Sequence, residues 1–312
     1  TIRASGNHPF RTLDGWRRLD QLHSGAALAL PRSLIVDAPS VSTMSSDECI
    51  LLAHLIGDGC VVKRQPIHYT SADEKNIAHV SDSARRLFGI SARIIQQENW
   101  WHVYLPSPYR LARGKHHPIM NWFRSLNLDF MRSYEKRLPE KLFSQPQERI
   151  CEFLSHLWAT DGNISWKKLA GRKPSAAIYY ATSSRQLSDQ VQHLLLRCGV
   201  QSTIRTTTQA KYRNMYGVHI QGAPDQLRFL KTIGCVGDRG NIIPELIAAL
   251  ESITPNTNRD VIPISAWKSI IEPARQHVGI SSRDMARGLE MSYCGSALFA
   301  SALSRERMAR VA

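Results

Sequence analysis

Two stretches of the chain carry strongly apolar helical patterns, and each ends at an Asp-Gly step. The run Ile50-Leu51-Leu52-Ala53-His54-Leu55-Ile56 leaves no polar stripe, which predicts a helix buried all round. Ser45-x-x-Glu48 is a capping box that opens it, and Gly57-Asp58-Gly59 stops it. Ile150, Phe153, Leu154, Leu157 and Trp158 recur at helical spacing, predicting a second helix from about Pro146 to Asp161-Gly162. The segments beyond the two stops are alike. The first stop leads into strands at 60–63 and 67–71, a helix ending at Phe88-Gly89, strands at 93–97 and 101–105, and a helix over 118–126. The second leads into strands at 164–166 and 178–183, a helix ending at Cys198-Gly199, strands at 203–209 and 216–221, and a helix over 224–233. Asp58 and Asp161 lie 103 positions apart, and the order is the same, so an αββαββα unit is expected twice, over 45–135 and 136–240. The first 40 residues are short apolar snatches between turn signals and read as β-strands. Pro244, Pro255 and Pro263 mark 241–262 as a linker after a short helix. Residues 263–312 read as three short helices with tight turns, at 265–278, 283–289 and 296–303, in the manner of a helix-turn-helix. The fold class is therefore α+β.

Charge narrows the partners. Forty Lys and Arg against 26 Asp and Glu give a net charge of +14, which favours a polyanion such as double-stranded DNA, though it would also serve solubility. No run is long and apolar enough for a membrane helix, so no membrane partner is expected. The six cysteines include no C-x-x-C pair, which argues against a zinc ribbon or a redox dithiol; together with the absence of a signal peptide they suggest reduced thiols and a cytoplasmic setting.

Either Asp-Gly step alone is an ordinary polar turn. Two of them at matching places are different. A carboxylate in the last turn opposes the helix dipole. If the repeats pack about a pseudo-twofold, Asp58 and Asp161 meet beside two negative helix ends and need a cation between them. An all-oxygen site suits Mg²⁺, and such a metal on a basic protein suits phosphodiester hydrolysis. Residues 163–240 hold twelve basic residues and three acids. Strand alternation puts Arg205, Thr207 and Gln209 on one face, able to read base edges, with Lys167, Lys168, Lys211 and Arg213 as further DNA contacts. The strand faces of both repeats are expected to form one basic saddle. An ordinary polar sheet face remains the alternative.

Leu51-Leu52-Ala53-His54-Leu55-Ile56-Gly57-Asp58-Gly59 and Leu154-Ser155-His156-Leu157-Trp158-Ala159-Thr160-Asp161-Gly162 resemble the paired motifs of the LAGLIDADG homing endonucleases. The resemblance covers about 45–240 and implies a monomer with pseudo-twofold symmetry whose Asp58 and Asp161 bind metal and catalyse cleavage. His156 and Thr160 depart from the small residues the family prefers. Lys136-Arg137-Leu138-Pro139 is similar to the family's Lys-x-Ile-Pro block, which implies that Lys136 polarises the water or stabilises the transition state; a solvated Lys near a turn is the other reading. No second-half counterpart is evident, with Lys231 and Arg239 as weak candidates. Ser5-Gly6-Asn7-His8-Pro9-Phe10 resembles the Thr-x-x-His block of inteins, implying that residues 1–40 are a partial splicing (Hint) segment in which Ser5 and His8 assist the first acyl shift. The whole arrangement is similar to inteins of replicative DNA helicases, especially actinobacterial ones, with the helicase as extein. Thr1 and the closing Ala312 are not splice-junction residues, so a fragment lacking both junctions is expected, with loosely packed strands exposing Ile2, Phe10 and Leu22. Two rivals stand beside the endonuclease: a catalytically silent LAGLIDADG-like transcriptional regulator, and a splicing protein with a decayed nuclease.

Overall fold

The computed structural model describes residues 3–32, 34, 41–167, 170–171, 174–208, 210–254, 261–290, 292–293, 295, 302 and 304–311. The chain divides into two compact units, Arg32–Ile253 and a smaller one made of Thr1–Pro31 with Thr254–Ala312.

In the smaller unit, β1 (Pro9–Thr12) and β2 (Gly15–Arg18) form an antiparallel hairpin. Trp16 and Leu30 are exposed at 67% and 73%, whereas Phe10 and Leu22, expected to be bare, are half-buried. Ile2 lies outside the described residues.

The larger unit opens with α1 (Ser46–Ile56), capped by Ser45, whose Oγ accepts from the Glu48 N–H while Glu48 returns a bond to the Ser45 N–H. Next come β3 (Gly59–Cys60), β4 (His68–Ser71), α2 (Glu74–Phe88), β5 (Arg93–Gln96), β6 (Trp101–Tyr104) and α3 (Pro118–Ser125). A short helix α4 (Glu140–Phe143) leads into the second copy. It comprises α5 (Gln147–Asp161), β7 (Gly162–Lys167), β8 (Ser175–Thr182), α6 (Arg185–Arg197), β9 (Ser202–Thr207), β10 (Met215–Ile220) and α7 (Ala223–Thr232). Both copies are αββαββα, and both sheets share one topology: β3-β4-β6-β5 and β7-β8-β10-β9, antiparallel throughout. Side chains alternate across each strand. In the second sheet Ile164, Ile178, Tyr180, Val218 and Ile220 turn inward and are buried. Helices α1 and α5 lie side by side at the centre of the core that spans Met44 to Leu250.

Residues 241–262 differ from the expected linker. They begin with the end of a 3₁₀ turn and a nine-residue helix, α8 (Ile243–Glu251), which buries Leu246 and Leu250 and packs on α7. Pro244 sits in its first turn, where a missing N–H leaves no bond unmade. Towards the C-terminus a π-helical turn (Trp267–Ile271) runs into α9 (Glu272–Val278), followed by α10 (Ser282–Gly288). The third helix expected at 296–303 falls mostly outside the described residues; the next described helix is α11 (Arg305–Val311). No helix among the described residues is long and apolar enough to cross a membrane.

Candidate active site

Helices α1 and α5 converge at their C-terminal ends, and small residues allow it. A side chain at Gly57 would overlap the side chain of Thr160. Gly57 and Thr160 are themselves 103 positions apart, so equivalent points of the repeat touch across the pseudo-twofold. Asp58 and Asp161 follow these two residues immediately. Desolvation pushes the Asp58 carboxyl up to about 7, and the neighbouring Asp161 charge adds to the rise. The Asp161 carboxyl, more open to solvent, is also pushed up, first by desolvation. Lys136 and Arg239 pull both carboxyls the other way.

These two cations are matched. Lys136 Nζ donates to the carbonyls of Gly57 and Gly59, the latter at 3.2 Å, so it caps the end of α1. Arg239 donates to the carbonyls of Trp158 at 2.7 Å and Thr160 at 2.6 Å, so it caps the end of α5. Lys136 and Arg239 are again separated by 103 positions. Burial lowers the Lys136 amine, while Asp161 and Asp58 hold it up. Arg239 is thus the second-half counterpart that spacing alone left undecided. The repeat offset was the signal that could have found it; expecting a lysine concealed it. Lys231 is exposed and pairs with Glu251 at 2.6 Å.

A buried polar strip lies one turn back from the carboxylates. His54 Nδ1 is 3.1 Å from the Tyr69 hydroxyl, and His54 Nε2 is 3.1 Å from His156 Nδ1. The His79 ring packs on that of His156, with centroids 4.8 Å apart. Burial holds His54 far below its ordinary range and takes His156 down to about 3. The departure of His156 from a small residue is therefore accommodated by a partner on α1.

Among the described residues no group of three or more His, Cys, Asp or Glu side chains is set to hold a metal. The donor set at the helix ends is two carboxylates beside two carbonyl-rich helix termini. Its chemistry suits a hard divalent cation that takes its remaining ligands from water or a phosphate.

The strand faces follow the same symmetry. Cross-strand register aligns Arg205 with Gly217 and Ala181, and Thr203 with His219, Tyr179 and Asn163, so Arg205, Thr207 and Lys167 share the face turned away from the core. Asn163, Ser165, Tyr179 and His219 share it too, and strand alternation alone did not single them out. Arg205, Thr207, Lys167, Lys211 and Arg213 are exposed, with the Arg213 guanidinium 3.7 Å above the Tyr134 ring centroid. Lys168 and Gln209 lie outside the described residues. In the first sheet the corresponding face presents His68, Thr70, Arg93, Ile95, His102 and Tyr104. It carries one Arg and two His rather than the basic array expected of both repeats. In the smaller unit, Ser5 and His8 sit on an exposed turn, where the His8 N–H donates to the Ser5 carbonyl at 3.0 Å and Ser5 Oγ to Asn7 at 2.6 Å.

Residues 148–234, from α5 through α7, match the family model of the LAGLIDADG-like domain. The match covers the second repeat alone. Over its whole length the chain is similar to the replicative DNA helicase DnaB of Nostoc sp., at 44% identity, and of Rhodothermus marinus, at 43%. It spans 35% and 33% of the length of these two curated relatives. Among solved structures it is similar to I-DmoI in complex with DNA and Ca, with a TM-score of 0.43 at 18% identity, covering 67% of this chain and 98% of that one. The matched segment begins at Glu148 and ends at Gly234, so it includes Asp161 but neither Lys136 nor Arg239.

Proposed function

We propose that this chain is the endonuclease-bearing part of an intein in a replicative DNA helicase, and that it makes a site-specific double-strand cut in DNA. The observation that carries the reading is the symmetric helix-end site: two adjacent carboxylates, each helix end capped by its own cation, related by one repeat offset. Asp58 and Asp161 would hold a divalent cation such as Mg²⁺, which when bound supplies an activated water and offsets charge on the phosphate. Lys136 and Arg239, fixed on backbone carbonyls, place positive charge beside the carboxylates without further reorganisation. The exposed faces of both sheets would seat the duplex, with Arg205, Thr207, Gln209, Lys167, Lys168, Lys211 and Arg213 as contacts in the second half. Alignment of the whole chain with about a third of each helicase relative supports an inserted element with helicase exteins. Ser5 and His8 would assist splicing in the parent protein, residues 263–312 would add a DNA contact, and the chain would act as a cytoplasmic, pseudo-symmetric monomer.

The test is cleavage of a helicase gene that lacks the corresponding insert. Linear product is expected with Mg²⁺ and none in chelator, and Asp161→Asn should abolish cutting while DNA binding persists. Binding without cutting by the unaltered chain at any divalent metal would replace this reading with the silent DNA-binding one.

A further inference from the structure

The loops that carry Lys136 and Arg239 are anchored from the opposite repeat. Lys136 follows the first repeat and caps α1, yet its carbonyl accepts a 2.6 Å bond from Ser184 Oγ at the N-cap of α6 in the second repeat. Two residues on, Leu138 is gripped by Gln190 of α6, which accepts from its N–H at 2.7 Å and donates to its carbonyl at 3.1 Å. Arg239 follows the second repeat and caps α5, yet the adjacent Asp238 N–H donates at 2.6 Å to Asp73 Oδ2 at the N-cap of α2 in the first repeat. Lys75 adds a 3.0 Å ion pair to Asp238. Gly237 takes φ +73, and a side chain there would run into the Asp73 carboxylate.

We propose that Asp73 and Ser184 are positioning residues that cross-brace the site, each holding the loop that bears the other half's helix-capping cation. Each does two jobs at once. Asp73 Oδ1 caps α2 through the Lys75 N–H while Oδ2 takes the loop. Ser184 Oγ accepts from the Leu187 N–H while its own proton goes to Lys136. A long cation loses rotamer freedom when it reaches a fixed carbonyl, and anchoring its backbone removes part of that cost. The brace also ties formation of each half-site to docking of the two repeats. The proposal rests on the endonuclease reading for its catalytic consequence but not for its energetics.

The test uses the full chain with Asp73→Ser and Ser184→Gly. Serine still caps a helix but is too short to hold the loop as well, and glycine is tolerated at an N-cap. Each variant is measured alone and on Arg239→Ala and Lys136→Ala backgrounds, by urea midpoint, DNA affinity and single-turnover cleavage. Cleavage should slow about tenfold or more while affinity stays within about twofold, because the loss is of placement rather than of binding. The midpoint lost by Asp73→Ser should shrink on Arg239→Ala but not on Lys136→Ala, and Ser184→Gly should show the converse. Equal losses on both backgrounds would overturn the brace, as would affinity falling in step with rate. If no DNA is cut by the unaltered chain yet the midpoints show this pairing, the brace stands and the endonuclease reading falls.

Discussion

Asp58 and Gly57 show how much a single position carries at the point where the two central helices meet. In the fold the Asp58 carboxyl titrates near 7 instead of its ordinary 3.8, so between those values the folded state holds a proton that the unfolded chain has released. Stability from this group is full below about pH 4 and lost as pH rises through 7. Without divalent metal, Asp58→Asn should therefore gain about 4 kcal/mol over the unaltered chain at pH 8, and the difference should vanish near pH 4. Thermal melts in chelator at the two pH values check this; a pH-independent difference would refute it. Gly57 is constrained by sterics alone. Gly57→Ala should cost about 1–3 kcal/mol by forcing a methyl into Thr160. Gly57→Ala with Thr160→Gly should recover most of that loss in denaturant melts, since the pair's combined volume is what the contact limits.

At the level of elements, the α1–α5 seam is unusual in carrying buried imidazoles. The Tyr69–His54–His156 bonds are satisfied by neutral rings, and burial keeps them neutral. The sign is opposite to that of Asp58. Unfolded histidine gains its proton near 6.5, whereas His156 resists until about 3, so stability drains as pH falls between those values. The double variant His54→Leu with His156→Leu should lose less stability between pH 7 and 4 than the unaltered chain, measured by urea midpoints; an unchanged slope would place the acid sensitivity elsewhere. Much of this architecture was legible because periodicity reports burial. The two central helices, the four strands of each sheet and the repeat offset all leave a pattern in which residues are apolar. What was illegible depends on contacts between distant segments. Arg239 sits in a 3₁₀ turn with no periodic signal, so the sequence offered it only beside Lys231, and the helix end it touches decides between them. His79, Asp73 and Ser184 were not singled out by any pattern, and their roles emerge only when the opposite half is placed against them. Residues 243–251 were mistaken for a linker because prolines break a helix interior but not its first turn.

For the molecule as a whole, the core cluster around α1 and α5 runs from Met44 to Leu250, inside the larger unit, while Trp267, Ile271 and Leu289 are buried apart from it in sequence. A fragment of residues 41–253 should accordingly fold on its own and melt in a single cooperative transition, as checked by calorimetry. Non-cooperative melting would show that the terminal unit is needed to complete the larger one. DNA affinity of the full chain, with its charge of +14, should fall steeply as salt rises, through counterion release; a flat salt dependence in filter binding would leave the charge as a solubility device. The Gly57–Thr160 contact has one more consequence. Two identical second halves brought together about the same axis would set threonine against threonine where the room admits threonine against glycine. Two identical first halves would leave a gap there. Neither half can replace the other, so the halves are no longer interchangeable parts. The contact needs one half of each kind, and each is free to acquire its own contacts on the face it presents.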